Sequence, residues 1–383
     1  MKRVIALLLA TMMVVSLAGC GGSNGSNSTG DASSAVSTAS AASAEGSKAA
    51  SGNSVSGKTV VFIPKLTGNA FFESANNGAQ KYSKQWGFTV DYQGSANAAV
   101  ADEVQVVNNA VASGADAICI SSVDATGLDD ALKAAINAGM KVVTWDSDVS
   151  PDARSLMVSQ GTPDILGKML VDMSVDALKK RGIDPDTKAV KYCWHYSQAT
   201  VADQNSWQVA GEKYIAEKYP KWVNVAKSNY YSEQDAEKAV SIGASILEAH
   251  PDIDLVICND STALPGQLKA AQNKGLTKKD ITITGFASPM SIKDYCKAGI
   301  IEEWGLWDCG VQGAIGSYLA AYLAAGNTVK VGDKINIPII GEVEVLPNDS
   351  LVPGAKTGET NSGVVLLPER LVFTKDNMDS YSF

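Results

Sequence analysis

From Lys58 onward one unit recurs roughly every 25 to 30 residues: a short run of β-branched and apolar residues, then a stretch with apolar residues at helical spacing. Strands that are apolar throughout and alternate with helices are buried on both faces, which requires a parallel sheet covered by helices on each side. The spacing predicts strands over 59–63, 88–93, 116–120 and 141–145, with helices over 70–86, 99–113 and 127–138 between them. Val100, Val104, Val107 and Val111 form an apolar stripe on the second helix, and Gly114 and Gly139 stand where helix C-caps fall. The pattern then restarts, with strands near 156–159, 189–194, 223–228, 254–258 and 281–285 and helices over 163–180, 203–218, 232–248 and 262–274. A further helix, a strand over 300–307 and a helix to about 325 follow, before a more β-rich tail. The expected fold class is α/β, with two doubly wound parallel-sheet lobes.

The segment ahead of this pattern is a different kind of chain. MKRVIALLLATMMVVSLAGC places Lys2 and Arg3 before an apolar stretch from Val4 to Leu17 and small residues leading into Cys20, the design of an export signal. LAGC resembles the lipobox of bacterial lipoproteins, which implies cleavage before Cys20 and lipidation of that cysteine. The expected location is the outer face of the cell membrane, held there by the lipid alone. Residues 21–57 are almost wholly Gly, Ser, Ala, Thr and Asn and cannot bury enough apolar surface to offset their chain entropy, so a disordered tether is expected.

Composition removes several function classes. The net charge is −9, two units more negative once Lys2 and Arg3 are gone, and no basic cluster occurs, which disfavours nucleic acid as a partner. Beyond Cys20 there are Cys119, Cys193, Cys258, Cys296 and Cys309, an odd number with no CxxC spacing, so buried thiols are expected rather than a disulfide framework. The histidines are His195 and His250, and no HExxH, GxSxG or GxxxxGK[ST] motif is present. No metal and no cofactor is expected.

In open parallel sheets, ligands sit beyond the carboxyl ends of the strands, where loops and helix N-termini converge. Lys65 follows VVFIP there, Asp146 follows VVTW, and Asp203 and Gln204 follow the loop after AVKYCWHY. Asn259, Asp260 and Ser261 follow DLVIC, and Asp308 follows GLW. Each has a plainer role: Asp203 and Asp260 as helix N-caps, Asp146 and Asp308 as turn formers, Lys65 as a solvated lysine, and Phe71, Phe72, Trp145, Trp194 and Trp307 as core. It is their convergence that points to a site. One ammonium, several carboxylates and amides, and flanking aromatic rings suit a small neutral polyol, whose hydroxyls donate to carboxylates while rings cover its apolar faces.

At these residues the chain resembles the type I periplasmic sugar-binding proteins of ABC importers, and within them the Lsr-type receptors for autoinducer-2. The resemblance runs through residues 59–383 and is densest at IPKLTGNAFF, TWDSD, SQGTPDILGKMLVDM, VADQNSW, GLWD and VLLPERLVFTKDNMDSYSF. It implies a two-lobed clamp with a three-segment hinge, ligand between the lobes, and an ABC permease as partner. The lobe boundaries it suggests are 58–147 plus about 287–326 for the first lobe and 148–286 plus about 327–383 for the second. The ligand side chains it carries over are Lys65, Asp146, Asp203 and Gln204, with Asp148 ordering the hinge. Asn259, Asp260 and Ser261 depart from the family's Pro-Asp-Ala, and side chains at 259 and 261 add or block hydrogen bonds where the family uses backbone groups.

Three function classes follow. The favoured one is a monomeric receptor that delivers autoinducer-2 to a permease, with a pentose or deoxyhexose as the alternative ligand. The second is a receptor of the same fold that reports to a membrane kinase. The third, an enzyme using Asp146 and Asp203 as acid and base, lacks a nucleophile or cofactor motif and a fixed carboxylate separation.

Overall fold

The computed structural model describes residues 53–383, so the export signal, Cys20 and the tether up to residue 52 lie outside the described residues. The chain begins β1 (Thr59–Ile63), α1 (Ala70–Trp86), β2 (Thr89–Tyr92), α2 (Val100–Ser113), β3 (Ala117–Ile120), α3 (Asp129–Asn137), β4 (Lys141–Trp145) and β5 (Leu156–Ser159). Next come α4 (Pro163–Lys180), β6 (Lys191–Tyr196), α5 (Ala202–Lys218), the short strands β7 (Val223–Asn224) and β8 (Tyr230–Tyr231), and α6 (Ala236–Ala249). Then follow β9 (Leu255–Cys258), α7 (Ala263–Asn273), β10 (Thr282–Gly285), α8 (Pro289–Lys297), β11 (Glu303–Leu306) and α9 (Cys309–Ala324). The tail holds β12 (Lys334–Ile337), β13 (Gly341–Glu344), β14 (Gly363–Leu366) and β15 (Leu371–Thr374).

Most of these bounds fall close to those expected from periodicity, because the signals behind them are local; the strand expected near 223–228 is reduced to Val223–Asn224 with β8 after it, and the helix expected from 232 starts at Ala236. Asn69 caps α1 by accepting from Phe71 N, and Gly87 at φ 82° ends it in the left-handed conformation that glycine adopts without strain. Thr162 and Pro163 open α4 in the same way, as cap and first helical residue. The valine stripe of α2 behaves as its spacing predicts: Val107 is fully buried, and Val100, Val104 and Val111 pack against the same cluster.

The first sheet has the order β14-β5-β4-β3-β1-β2 and is parallel throughout. The second has the order β10-β9-β6-β7, also parallel, with β8 pairing β6. β11 pairs β15 antiparallel, and a parallel bridge from Phe286 to Gly305 sets this pair beside the end of β10. α9 packs on α1 and on β4, in the first lobe. That contact is unusually close: a Cβ on Gly78 would lie 2.0 Å from Gly310 O, and one on Gly313 would lie 2.1 Å from Ala75 O. Any larger residue at either position would push the helices apart and carry Phe71 and Phe72, at the start of α1, away from their present places.

The lobe boundaries differ from those the resemblance suggested. β5 and β14 belong to the first sheet, whereas α8 and β11 stay with the second, and of the tail only β15 and the residues after it join the second lobe. The chain therefore crosses between lobes after β5, after β11 and after β14, not at 147, 286 and 326. The reason is the link from β4 to β5, which holds no helix, so β5 looks like the opening strand of a new β–α series although it hydrogen-bonds to β4. The five cysteines from Cys119 onward are buried and unpaired.

Candidate functional site: a cavity between the lobes

The loops after β1, β4, β6, β8, β9, β10 and β11 meet at a narrow cavity between the two lobes. Lys65, just beyond β1, is 2% exposed, and its Nζ lies 3.1 Å from Asp146 Oδ2. Burial works against its charge, but the carboxylates of Asp146, Asp203 and Asp260 outweigh that and hold its pKa above the ordinary lysine value. Asp146 itself sits at φ 60°, a left-handed conformation that an aspartate tolerates at modest cost. Three bonds fix it there: its Oδ2 accepts from Ser121 Oγ at 2.7 Å, its N–H donates to Val158 O, and its carbonyl accepts from Gln160 Nε2 at 3.0 Å.

Asp148, two residues on, has a different surrounding. Its carboxylate takes both prongs of Arg154, at 2.9 and 2.7 Å, and a bond from Thr144 Oγ1 at 2.6 Å. Arg154 in turn donates to Asn348 Oδ1 and Gly363 O, so Asp148 ties the β4–β5 loop to the edge strand β14. The three lobe crossings are bound together as well. Gln312 on α9 donates to Val158 O at 3.1 Å and Gln160 Oε1 at 2.9 Å while accepting from Trp307 Nε1 at 2.6 Å, and Arg370 donates to Gln160 O at 2.5 Å.

From the second lobe, Asp203 in the first turn of α5 reaches across the gap and accepts from Ser147 Oγ at 2.5 Å. Burial, with Asp146 nearby, pushes its pKa up to about 6 against the pull of Lys65. Gln204 accepts from Ser197 N and Oγ and donates to Asp260 Oδ2 at 3.2 Å. Asp260 caps α7 through Thr262 N and Ala263 N, and burial raises its pKa too. Asn259 donates to Gln204 O at 2.8 Å, while its Oδ1 is buried without a protein partner. Ser261 completes this rim. One ammonium thus faces three carboxylates, two of them shifted toward their neutral forms, an environment that favours a neutral guest over an anion.

Aromatic rings from both lobes close the cavity. Trp307 lies edge-on to Phe71 at 5.9 Å, to Trp207 at 5.9 Å and to Phe286 at 5.6 Å, and Phe71 meets Phe72 at 5.1 Å. Trp145 and Trp194 are fully buried core, Trp145 stacking on Phe62 at 4.7 Å.

Of the residues singled out in the sequence, Lys65, Phe71, Phe72, Asp146, Gln204, Asn259, Asp260, Ser261 and Trp307 line the cavity. Asp203 stands behind that lining, between Ser147 and Gln160. Asp308 is not brought there: its Oδ1 caps α9 by accepting from Val311 N at 2.9 Å, a helix cap rather than either the site residue or the turn former expected from the sequence. Trp207, Gln234, Phe286 and Leu306 line the cavity without having been anticipated. Trp207 follows Asp203 by four residues on the same helix face, and Phe286 directly follows β10, so both carried a usable signal. Gln234 carried none, since periodicity placed it inside a helix and the structure places it in the loop before α6.

The comparisons with known proteins agree with this geometry. The family model of the periplasmic binding protein domain matches residues 60–328. The chain is 24% identical over 278 residues to the D-ribose/D-allose-binding protein of Pseudomonas aeruginosa, covering 70% of this chain and 83% of that protein. It is 26% identical over 246 residues to the ribose import binding protein RbsB of Escherichia coli, covering 63% of this chain and 76% of RbsB. LsrB from Clostridium saccharobutylicum, solved in complex with AI-2, superposes with a TM-score of 0.84 at 69% identity, covering 85% of this chain and 100% of LsrB. A solute-binding protein from Clostridium phytofermentas with bound L-rhamnose superposes with a TM-score of 0.75 at 21% identity, covering 85% and 98%, a likeness of fold. The chain belongs to the periplasmic binding proteins and, within them, to the group of LsrB.

Proposed function

We propose that this chain is the solute-binding receptor of an ABC importer and that its ligand is autoinducer-2 in its cyclic, hydrated form. The observation that carries the reading is the set of Lys65, Asp146 and Gln204 lining one cavity under aromatic rings, with Asp203 directly behind them, in a chain 69% identical to LsrB. In this reading Asp146 and Asp203 accept from ligand hydroxyls, Lys65 and Gln204 donate, and Phe71, Phe72 and Trp307 cover the apolar faces. Asn259 and Ser261 add polar contacts at the edge, and no residue acts as a catalyst. We further propose that the protein is exported, anchored through a lipid on Cys20, and monomeric.

A pentose or deoxyhexose is the second reading, favoured by one observation, the buried Asn259 Oδ1 that a further ligand hydroxyl would satisfy. The test is to purify the protein from cells that make autoinducer-2, denature it and assay the released material, beside a thermal-shift panel of ribose, rhamnose, xylose and galactose. Autoinducer-2 activity in the released material is expected. Its absence, with strong stabilisation by one of the sugars, would replace the ligand and leave the receptor role standing.

A further inference from the structure

The loop between β8 and α6 places two consecutive non-glycine residues, Glu233 at φ 54° and Gln234 at φ 59°, in the left-handed region. Each would be less strained as glycine. The surrounding bonds impose the conformation: Ser232 N donates to Tyr196 O at 2.9 Å, Glu233 N to Ser197 O at 2.7 Å, and Asp235 N to Ser232 O at 3.0 Å. Asp235 then caps α6 through Lys238 N at 2.7 Å. This forced turn presents the Gln234 side chain to the cavity. It is 6% exposed, it lines the cavity, and its Oε1 is buried without a protein partner. Gln234 also lines a second, wider hollow at the mouth of the cleft, with Leu66, Gln198, Thr200 and Tyr231, so its side chain is the partition between the two.

We infer that Gln234 is a specificity-determining residue of the binding site, whose amide hydrogen-bonds a hydroxyl of the ligand ring and whose bulk closes the cavity toward the cleft mouth. Strain held by the backbone, burial of an amide and the lack of a protein partner for its oxygen are each unfavourable for the protein alone. A hydroxyl donor from a bound polyol satisfies that oxygen. The inference rests on the receptor reading but not on the choice of ligand, since any small polyol presents such a donor.

Glycine at this position separates a ligand role from a structural one. Gln234→Gly relieves the left-handed strain and deletes the amide, so the ligand-free variant is expected to melt at or above the wild-type temperature while binding autoinducer-2 at least tenfold more weakly by calorimetry. Gln234→Leu, which keeps bulk but not the amide, is expected to show the same loss. Wild type and both variants are titrated with autoinducer-2, ribose, rhamnose, xylose and galactose. If the wild type binds one of the sugars and not autoinducer-2, the choice of ligand fails and that sugar becomes the probe for the variants. Binding of the wild-type ligand within twofold of wild type by either folded variant overturns the role of Gln234. Binding of none of the five by the wild type overturns both proposals.

Discussion

The two lobes meet the cavity with surfaces of different kinds. The first-lobe face is complete in itself: the Lys65 ammonium, the Asp146 carboxylate and the Ser121 hydroxyl are bonded to one another, and Gln160 holds the Asp146 backbone. The second-lobe face carries two buried amide oxygens, Asn259 Oδ1 and Gln234 Oε1, with no protein partner. Pre-paired charge needs little rearrangement when a ligand arrives, so the first lobe is suited to seizing it. Each unpartnered oxygen costs roughly 1 to 3 kcal/mol until a donor reaches it, so the second lobe gains most from a ligand whose hydroxyls fit. On the proposed reading, the first face is expected to set affinity and the second to select the ligand.

The largest effect expected from this division is at Asp146. Asp146→Ala removes an acceptor and leaves the Lys65 ammonium buried without its near partner, a loss of about 3 kcal/mol or more, or at least a hundredfold in Kd for autoinducer-2 by calorimetry. A variant within twofold of wild type would erase the asymmetry between the faces. Asp203 comes next, and it titrates. With its pKa at about 6, it is ionised above that pH and protonated below it, so under the proposed reading it accepts ligand hydroxyls fully only above that pH. If the bound form stays ionised, affinity falls as pH drops through 6 and is about tenfold weaker at pH 5 than at pH 7.5. Asp203→Asn is expected to bind weakly at both values, with that slope gone.

How much of this was legible in the sequence follows from the range of the signals. Helix and strand bounds rest on local periodicity and caps, such as Asn69 and Gly87 around α1, and these were readable. That the residues at the ends of β1, β4 and β9 line one cavity was readable because topology alone sends them to a shared rim. The lobe membership of β5 and β14 was not, because it depends on which strand they pair with across the sheet. Asp308 was misplaced because an aspartate at a strand end and one at a helix start look alike where the two coincide. Gln234 was missed because tertiary bonds, not sequence, put its backbone in the left-handed region.

Smaller effects test the second-lobe face. Asn259→Ala removes the unpartnered oxygen together with the bond to Gln204 O, and a loss of about 1 kcal/mol, several-fold in Kd, is expected. Asn259→Pro combined with Ser261→Ala restores the pattern of the Lsr-type receptors. Retained autoinducer-2 binding with weaker sugar binding would sharpen the view that this face selects. A hundredfold loss would shift the weight of affinity to the second lobe.

The smallest expected effect on binding belongs to Glu103, and it tests whether the first-lobe face is as self-contained as its bonds suggest. Glu103 on α2 is 2% exposed, accepts from Val123 N at 3.0 Å through Oε2, and has a buried Oε1 without a partner. Burial pushes its pKa up to about 8, although the Val123 bond and Lys65 favour the charged form. Near neutral pH it is therefore mostly a neutral acid and adds little to the charge around Lys65. The folded pKa lies above the unfolded one, so the unfolded chain gives up the proton first, and stability declines as pH rises from about 4.5 through 8. Glu103→Gln keeps an acceptor for Val123 N and has no charge to bury, so its melting temperature should exceed wild type by roughly 3 °C or more at pH 8.5. The gap should shrink toward zero at pH 4.5, and autoinducer-2 affinity should stay within twofold at pH 7. A tenfold loss of affinity would place Glu103 among the charges that hold Lys65 and Asp146, and the first-lobe face would then extend a layer deeper than its direct bonds.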